Sequence, residues 1–362
     1  MANIFKFFRQ SISPSYLGVD IGTTSIKVVE VKRGEQLPKV INYGFLESSS
    51  YLARINQALQ TSNLKLFEKG TIEFLKIILS EMKPQSVDAF ASIPTFSAFM
   101  TTIDFPEMSP SDLSKAIVFQ ARQYVPLPLS EVALDWMKVG ELTDEKGFKR
   151  QQVLLISVPQ ETIKKYQAIF KAVGLRLKAL EIESLSLARI FGGSDPTPTA
   201  VVDIGSRSTN IALLENGQLK FNAQSDFAGF SLTQALSSSL GINPLRAEEL
   251  KRERGVLGTG PNYELSTIML PFLDAIINEV KKAVYKYQAQ FPSARKMERV
   301  ILAGGGANLL GVGKYFEREL GLATVKASPF LKFEYRSEME PLVPELNPIM
   351  SVTLGLTLRE FV

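Results

Sequence analysis

The sequence predicts an α/β protein built from two duplicated halves, the first of them interrupted by a small inserted α+β subdomain. Three observations carry this. A strand–turn–strand pattern, Tyr16-Leu-Gly-Val-Asp-Ile-Gly-Thr-Thr-Ser-Ile-Lys-Val-Val-Glu-Val31, returns as Thr199-Ala-Val-Val-Asp-Ile-Gly-Ser-Arg-Ser-Thr-Asn-Ile-Ala-Leu-Leu214. Asp20-Ile21-Gly22 recurs as Asp203-Ile204-Gly205 and Ser25 as Ser208 at one constant offset, with Ser206 in the place of Thr23. Between the copies, Gly192-Gly-Ser-Asp-Pro-Thr-Pro-Thr199 has the composition of a linker. A chain of 362 residues has the length for two or three compact units.

In the first half, Leu17, Val19 and Ile21 alternate into the turn, Val28, Val29 and Val31 leave it, and Gly34 closes the far end of the hairpin. Ile72, Leu75, Ile78 and Leu79 recur at helical spacing and predict a helix over 71–82, and 87–93 reads as a strand stopped by Pro94. The character changes over 96–147, which we take as the insert. Ser109 followed by Pro110 is a helix cap and first-turn pair, Leu113, Ala116, Ile117, Gln120 and Tyr124 share one face, and Pro126 and Pro128 end the helix. A strand over 132–141 and a polar turn over 144–149 complete it. The first half resumes with a buried strand over 153–158, a helix bearing Ile163, Tyr166, Phe170 and Val173, a strand over 177–182 and a helix over 184–191.

In the second half, a helix over 232–240 precedes Asn243-Pro244, the cap of a helix containing Ala247-Glu248-Glu249-Leu250-Lys251. A long helix over 265–290 follows, then a strand over 299–303 that runs into Gly304-Gly305-Gly306-Ala-Asn308 and a helix ending near Leu320. Asn347-Pro348 predicts the cap of a final helix reaching Leu358.

Composition excludes several chemistries. The chain has no Cys and no His, which removes thiol nucleophiles, disulfides, imidazole acid–base catalysis and most zinc sites. Apolar residues make up 45% and charged residues 22%, the balance of a soluble globular protein, and the net charge of +4 is interleaved, with no nucleic-acid footprint. No apolar run approaches the roughly 18–20 residues of a membrane span. The first residues place Ile4, Phe5, Phe7 and Phe8 beside Lys6 and Arg9. That arm, over 1–15, reads equally as a membrane-surface contact and as a segment packed on its own domain or a partner.

Two Asp-x-Gly hairpins suit a polyphosphate. A glycine in such a turn permits positive φ and close approach of a ligand to the backbone, and the amides and hydroxyls of Thr23, Thr24, Ser25, Ser206, Ser208 and Thr209 can meet phosphate oxygens. Asp20 and Asp203 repel phosphate, so they suit a hydrated Mg²⁺ that neutralises it. One such hairpin reads equally as an ordinary tight turn; two in matching strand contexts favour phosphate binding. Gly304, Gly305 and Gly306 lie where a base or ribose can rest against backbone. Glu248 and Lys251, three apart on a helix, are placed to clasp a ribose hydroxyl and a base edge, or to form a surface ion pair. Glu181 and Glu183 are the candidates for orienting an attacking water, although a capping or solvent-facing role is the plainer reading of either. Nothing in the sequence demands fast turnover.

Together these segments resemble the nucleotide-site motifs of the actin, sugar-kinase and DnaK-type chaperone superfamily. Residues 20–27, Lys27 included, resemble its first phosphate motif, 203–210 the second, 303–309 the adenosine motif with Asn308, and Ala247-Glu248-x-x-Lys251 the base-clasping helix. Residues 181–191 and 351–358 take the places of the connecting helices. The resemblance implies an actin-like two-domain fold: 16–95 and 148–192 as the first domain, 96–147 as the insert, and 199–362 as the second domain. A helical part is expected around 230–295, and the final helix is expected to return to the first domain. Within the superfamily the chain resembles the PilM family of type IV pilus assembly, on Phe105-Pro106-Glu107-Met108, Gln120-Ala-Arg-Gln-Tyr-Val-Pro-Leu127 and Leu134-Asp135 in the insert and on 280–290 leading into 299–307. That family resemblance implies ATP and Mg²⁺ as ligands and a cytoplasmic scaffold held at the inner membrane. It also implies, as partner, the N-terminal cytoplasmic tail of PilN in a groove near 97–124, with other inner-membrane pilus components as further partners and self-association possible. Arg207 departs from the pattern, which favours small or polar residues there. An FtsA-like filament-forming protein and a small-molecule kinase are the alternatives.

Overall fold

The computed structural model describes residues 14–47, 64–143, 147–257 and 263–361. The N-terminal arm through residue 13, and residues 144–146 of the polar turn, lie outside them.

The duplication read from the sequence appears as two five-stranded sheets of one topology. The first has the order β3-β2-β1-β4-β8 (Lys39–Glu47, Ser25–Lys32, Ser15–Ile21, Asp88–Ile93, Arg176–Ile182). The second has β11-β10-β9-β12-β13 (Gln218–Ser225, Thr209–Glu215, Thr199–Ile204, Arg299–Ala303, Ala323–Lys326). In each, an antiparallel meander supplies three strands and two more add in parallel. The paired registers match as well. Asp20 lies opposite Lys27 and Asp203 opposite Asn210.

Each sheet is covered by helices that its apolar strands require. On the first, α1 (Leu64–Met82) and α3 (Gln160–Ala172) bury Leu75, Ile78, Tyr166, Ile169 and Phe170 against Leu17, Val19 and Val28. Full burial of each such side chain contributes about 1.5–3 kcal/mol. The opposite face takes α4 (Glu183–Phe191) and α10 (Ser351–Thr357). Glycines set how closely α10 docks: a Cβ on Gly18 would lie 2.3 Å from the Thr353 carbonyl oxygen, and one on Gly355 2.3 Å from that of Ser186. The chain's last helix therefore rests on the first half. The second sheet is covered by the 28-residue α7 (Tyr263–Gln290) and α8 (Val312–Leu320), with α5 (Gly229–Leu240) packed on α7 and α6 (Pro244–Arg254) on α5. Asn243 caps α6 by accepting from the Arg246 N–H at 2.9 Å.

The insert is a three-stranded antiparallel sheet of order β5-β7-β6 (Phe99–Pro106, Lys149–Pro159, Val132–Thr143) under α2 (Pro110–Tyr124). The predicted cap holds, with Ser109 Oγ accepting from Asp112 N–H at 3.2 Å, a contact worth about 1 kcal/mol. The strand expected to resume the first domain, β7, is the central strand of this third sheet. An apolar run fits any buried sheet, and here its partners are β5 and β6. The insert also meets the second half: Val139 joins that half's core, Lys220 Nζ donates to the Val139 carbonyl, and Gln152 Nε2 donates to the Gln290 carbonyl at 3.4 Å.

Three further expectations differ. Strands β3, β5, β11 and β13 have no counterpart in the sequence reading; β3 is an edge strand of mixed burial and β13 has only four, mainly exposed, residues. Asn347-Pro348 does not cap the final helix. Both fall inside α9 (Val343–Ile349), which breaks at Met350 before α10 begins, and the Asn347 carboxamide oxygen instead accepts from Phe330 N–H. Between Ala303 and α8 the chain makes a 3-10 turn, Gly305–Asn308, before the helix starts.

Candidate nucleotide cleft

The ends of the two hairpins open onto one cavity of about 760 Å³ between the halves. Asp20, Gly22, Thr23, Thr24, Ser25 and Lys27 line it from one side, and Asp203, Gly205, Ser206, Arg207, Ser208 and Asn210 from the other. Each turn is closed by the same bond, Gly22 N–H to the Ser25 carbonyl at 2.9 Å and Gly205 N–H to the Ser208 carbonyl at 3.1 Å. Neither glycine has a positive φ, contrary to the sequence reading. Close approach is what excludes a side chain: a Cβ would stand 3.1 Å from the Ser25 carbonyl oxygen in the first turn and 2.8 Å from that of Ser208 in the second. The second turn is also held from behind, since the first N–H groups of α5, at Gly229 and Phe230, donate to the carbonyls of Gly205 and Ser206. Arg207 lays its guanidinium over the Phe230 ring, 5.9 Å from the centroid.

The two hairpins differ in charge. Lys27 Nζ donates to Asp20 Oδ2 at 2.7 Å, and Ser92 Oγ, from the end of β4, donates to Asp20 Oδ1 at 2.7 Å. Asp203 faces Asn210 instead of a cation. Burial raises the Asp203 carboxyl to about 6, with Lys27 opposing and Asp20 adding to the shift. Glu183, the first residue of α4, is raised well above its ordinary value by burial, then by Asp20 and Asp203, although it accepts from Thr95 N–H at 3.3 Å. Burial alone would lower Lys27; Asp20, Asp203 and Glu183 outweigh it, and its pKa is raised. One ammonium thus serves three carboxylates. Among the described residues no three acidic groups are arranged to hold a metal ion directly.

At the other end, Gly304 has φ +77°, and a Cβ on it would fall 2.3 Å from Asp203 Oδ1; one on Gly306 would fall 2.3 Å from Ile204 Cγ2. These two glycines let the turn press on the second hairpin. A Cβ on Gly305 would meet nothing within 4 Å, so this residue alone of the three faces open space. Asn308 donates through Nδ2 to the Glu345 carbonyl, while its Oδ1 is buried without a partner among the described residues. Glu248 and Lys251 form the ion pair at 2.7 Å, largely buried, and Lys251 also donates to Thr233 Oγ1 and the Gly229 carbonyl.

Two of the singled-out residues point elsewhere. Glu181 is outside the cleft: Arg189 grips it through two bonds of 2.6 and 2.9 Å, and Ser186 and Arg359 complete its shell. It ties α4 to the chain's end and has no free lone pair facing a ligand. Thr209 Oγ1 is buried and donates to the Phe227 carbonyl. Ser92, Thr233, Glu47 and Arg252 belong to the site or its rim and had no motif to announce them.

The family model for type IV pilus assembly protein PilM matches residues 18–361. Cell division protein FtsA of Enterococcus hirae is 23% identical over 336 residues, covering 82% of this chain and 74% of that protein. Among solved structures, a PilM-PilN type IV pilus biogenesis complex matches with TM-score 0.79 at 21% identity, covering 95% of this chain and 98% of the other. MreB5 of Spiroplasma citri bound to ADP matches with TM-score 0.53 at 13% identity, covering 96% of each chain. These structural likenesses show the actin-like fold.

Proposed function

The chain belongs to the PilM family of type IV pilus assembly proteins, and on that premise we propose that it is an ATP-binding scaffold of the pilus machinery that receives the N-terminal tail of PilN. The observation that carries nucleotide binding is the convergence of both Asp-x-Gly hairpins, with Lys27, on one cleft whose volume is in the range of small-molecule sites. The donor set fits a triphosphate. Turn amides and the hydroxyls of Thr23, Thr24, Ser25, Ser206 and Ser208 surround the space, Lys27 adds a cation, and Gly305 leaves room beside the buried, unpaired Asn308 Oδ1 at the nucleoside end. Asp20 and Asp203 would hold magnesium through its water shell, and the ion would supply charge neutralisation between them and the phosphates. Glu183, in the cleft, is the better placed of the two glutamates to orient a water. Titration with a fluorescent ATP analogue tests the reading. Asp20→Ala and Asp203→Ala should each weaken Mg-ATP binding at least about tenfold; unchanged affinity in both sinks it.

The partner reading rests on the family and on the PilM-PilN complex whose fold this chain shares. The insert offers exposed apolar side chains near the expected groove, among them Val118 and Phe119. Among the described residues no helix is long and apolar enough to cross a membrane, and on this reading the partner holds the chain at the inner membrane. The likeness to FtsA supports a second reading, a filament former; ATP-dependent light scattering separates the two.

A further inference from the structure

The mouth of the cleft carries a feature that nucleotide binding alone does not require. Glu47 is the last residue of β3 in the first half, and Arg252 lies on α6 in the second. Arg252 NH2 reaches Glu47 Oε1 at 2.6 Å, and the same guanidinium binds Glu248 Oε1 through Nε at 2.8 Å. Glu248 is in turn fixed by Lys251 and Thr233. The second-half side of this chain of contacts is therefore tied down by several partners, whereas among the described residues Glu47 holds on by one ion pair. Phe45, Glu47, Leu245, Glu248 and Arg252 all border the same cavity. Both members of the cross-cleft pair are substantially exposed, Arg252 at 57% and Glu47 at 40% of the side chain.

We propose that the Glu47–Arg252 pair is a gate across the nucleoside end of the cleft, which must open for nucleotide to enter or leave. The proposal rests on the nucleotide-binding reading above. Separation of the halves at this end stretches the Glu47–Arg252 contact that spans them there, and an exposed pair breaks easily, which suits a gate that opens often. Arg252 is accordingly a positioning residue. With one arm it holds Glu248 toward the ligand, and with the other it closes the mouth. A pair that closes over the mouth hinders entry and exit alike, and the equilibrium between them is then little changed.

Glu47 is the side to vary, since Arg252 also supports Glu248. Stopped-flow mixing of the full chain with a fluorescent ATP analogue gives association and release rates for wild type, Glu47→Gln and Glu47→Lys. Both variants should bind and release about two- to fivefold faster, the range an exposed ion pair supports, with affinity unchanged within about twofold. Added salt should speed exchange in wild type and not in Glu47→Gln, because screening removes the same attraction. Equal rates in wild type and Glu47→Gln, or a loss of affinity with unaltered association, would overturn the gate while leaving nucleotide binding intact. A wild-type chain that binds no nucleotide overturns both.

Discussion

Lys27 holds its ammonium 2.7 Å from Asp20 Oδ2 in a cleft that Asp203 and Glu183 also line. Its side chain is 16% exposed and that of Asp20 5%, so neither charge is well hydrated. Removing one member of such a pair strands the other, at a cost of about 3 kcal/mol or more. Lys27→Met should therefore lower the denaturation midpoint and weaken Mg-ATP binding together. An isosteric loss that affected ligand binding and left stability untouched would mean that Asp20 finds another partner.

The raised Asp203 carboxyl makes a sign-definite prediction for the ligand-free protein. The group titrates near its ordinary value of 3.8 when unfolded and at about 6 when folded. Between those values the folded state holds a proton that the unfolded state has lost, so stability is greatest below the lower value and falls as pH rises through the upper one. Glu183, raised by burial and by Asp20 and Asp203, contributes a fall of the same sign. Asp203→Asn removes the Asp203 part. It should nearly match wild type at pH 4 and exceed it at pH 7 by about 3 kcal/mol, as measured by urea unfolding.

Two neighbouring glycines separate packing from ligand space. Gly304→Ala sets a methyl against Asp203 Oδ1 at a positive φ, and both the clash and the strain should lower stability by about 1–3 kcal/mol. A Cβ at Gly305 meets nothing within 4 Å, so Gly305→Val adds its side chain at a position open to the cavity. It should fold with nearly unchanged thermal stability and lose ATP affinity. If Gly305→Val binds ATP normally, the nucleoside end of the ligand lies elsewhere.

These glycines also show what a sequence can disclose. The hairpins were legible because every residue that defines them is local, and because the motif occurs twice. Ser92, Thr233, Glu47 and Arg252 come from remote segments and acquire meaning only when β4, α5, β3 and α6 converge on the cleft. Glu181 and Glu183 look alike as neighbours near a strand end, but Glu181 belongs to β8 and Glu183 opens α4, and Glu181 is taken by Arg189 and Arg359. The apolar run of β7 announced a buried strand without naming its sheet. The edge strands β3 and β13 lacked the alternation that marks a half-buried strand.

The tail-binding proposal can be tested without disturbing the insert. Deleting 105–140 would remove Val139 from the second half's core and break the β5-β7-β6 sheet, so lost binding would follow from unfolding alone. Phe119 offers a cleaner probe. It lies on the outer face of α2 at 68% exposure, whereas Leu113, Ile117 and Ala121 hold that helix to its sheet. Phe119→Asp therefore leaves the core contacts in place and costs little stability, which circular dichroism melting can verify. An exposed aromatic anchor at a peptide interface is commonly worth about 2 kcal/mol or more, so a synthetic PilN-tail peptide should bind this variant at least about tenfold more weakly by fluorescence anisotropy. Equal binding would move the contact away from this face of α2, toward the junction of the insert with the first half around Phe96.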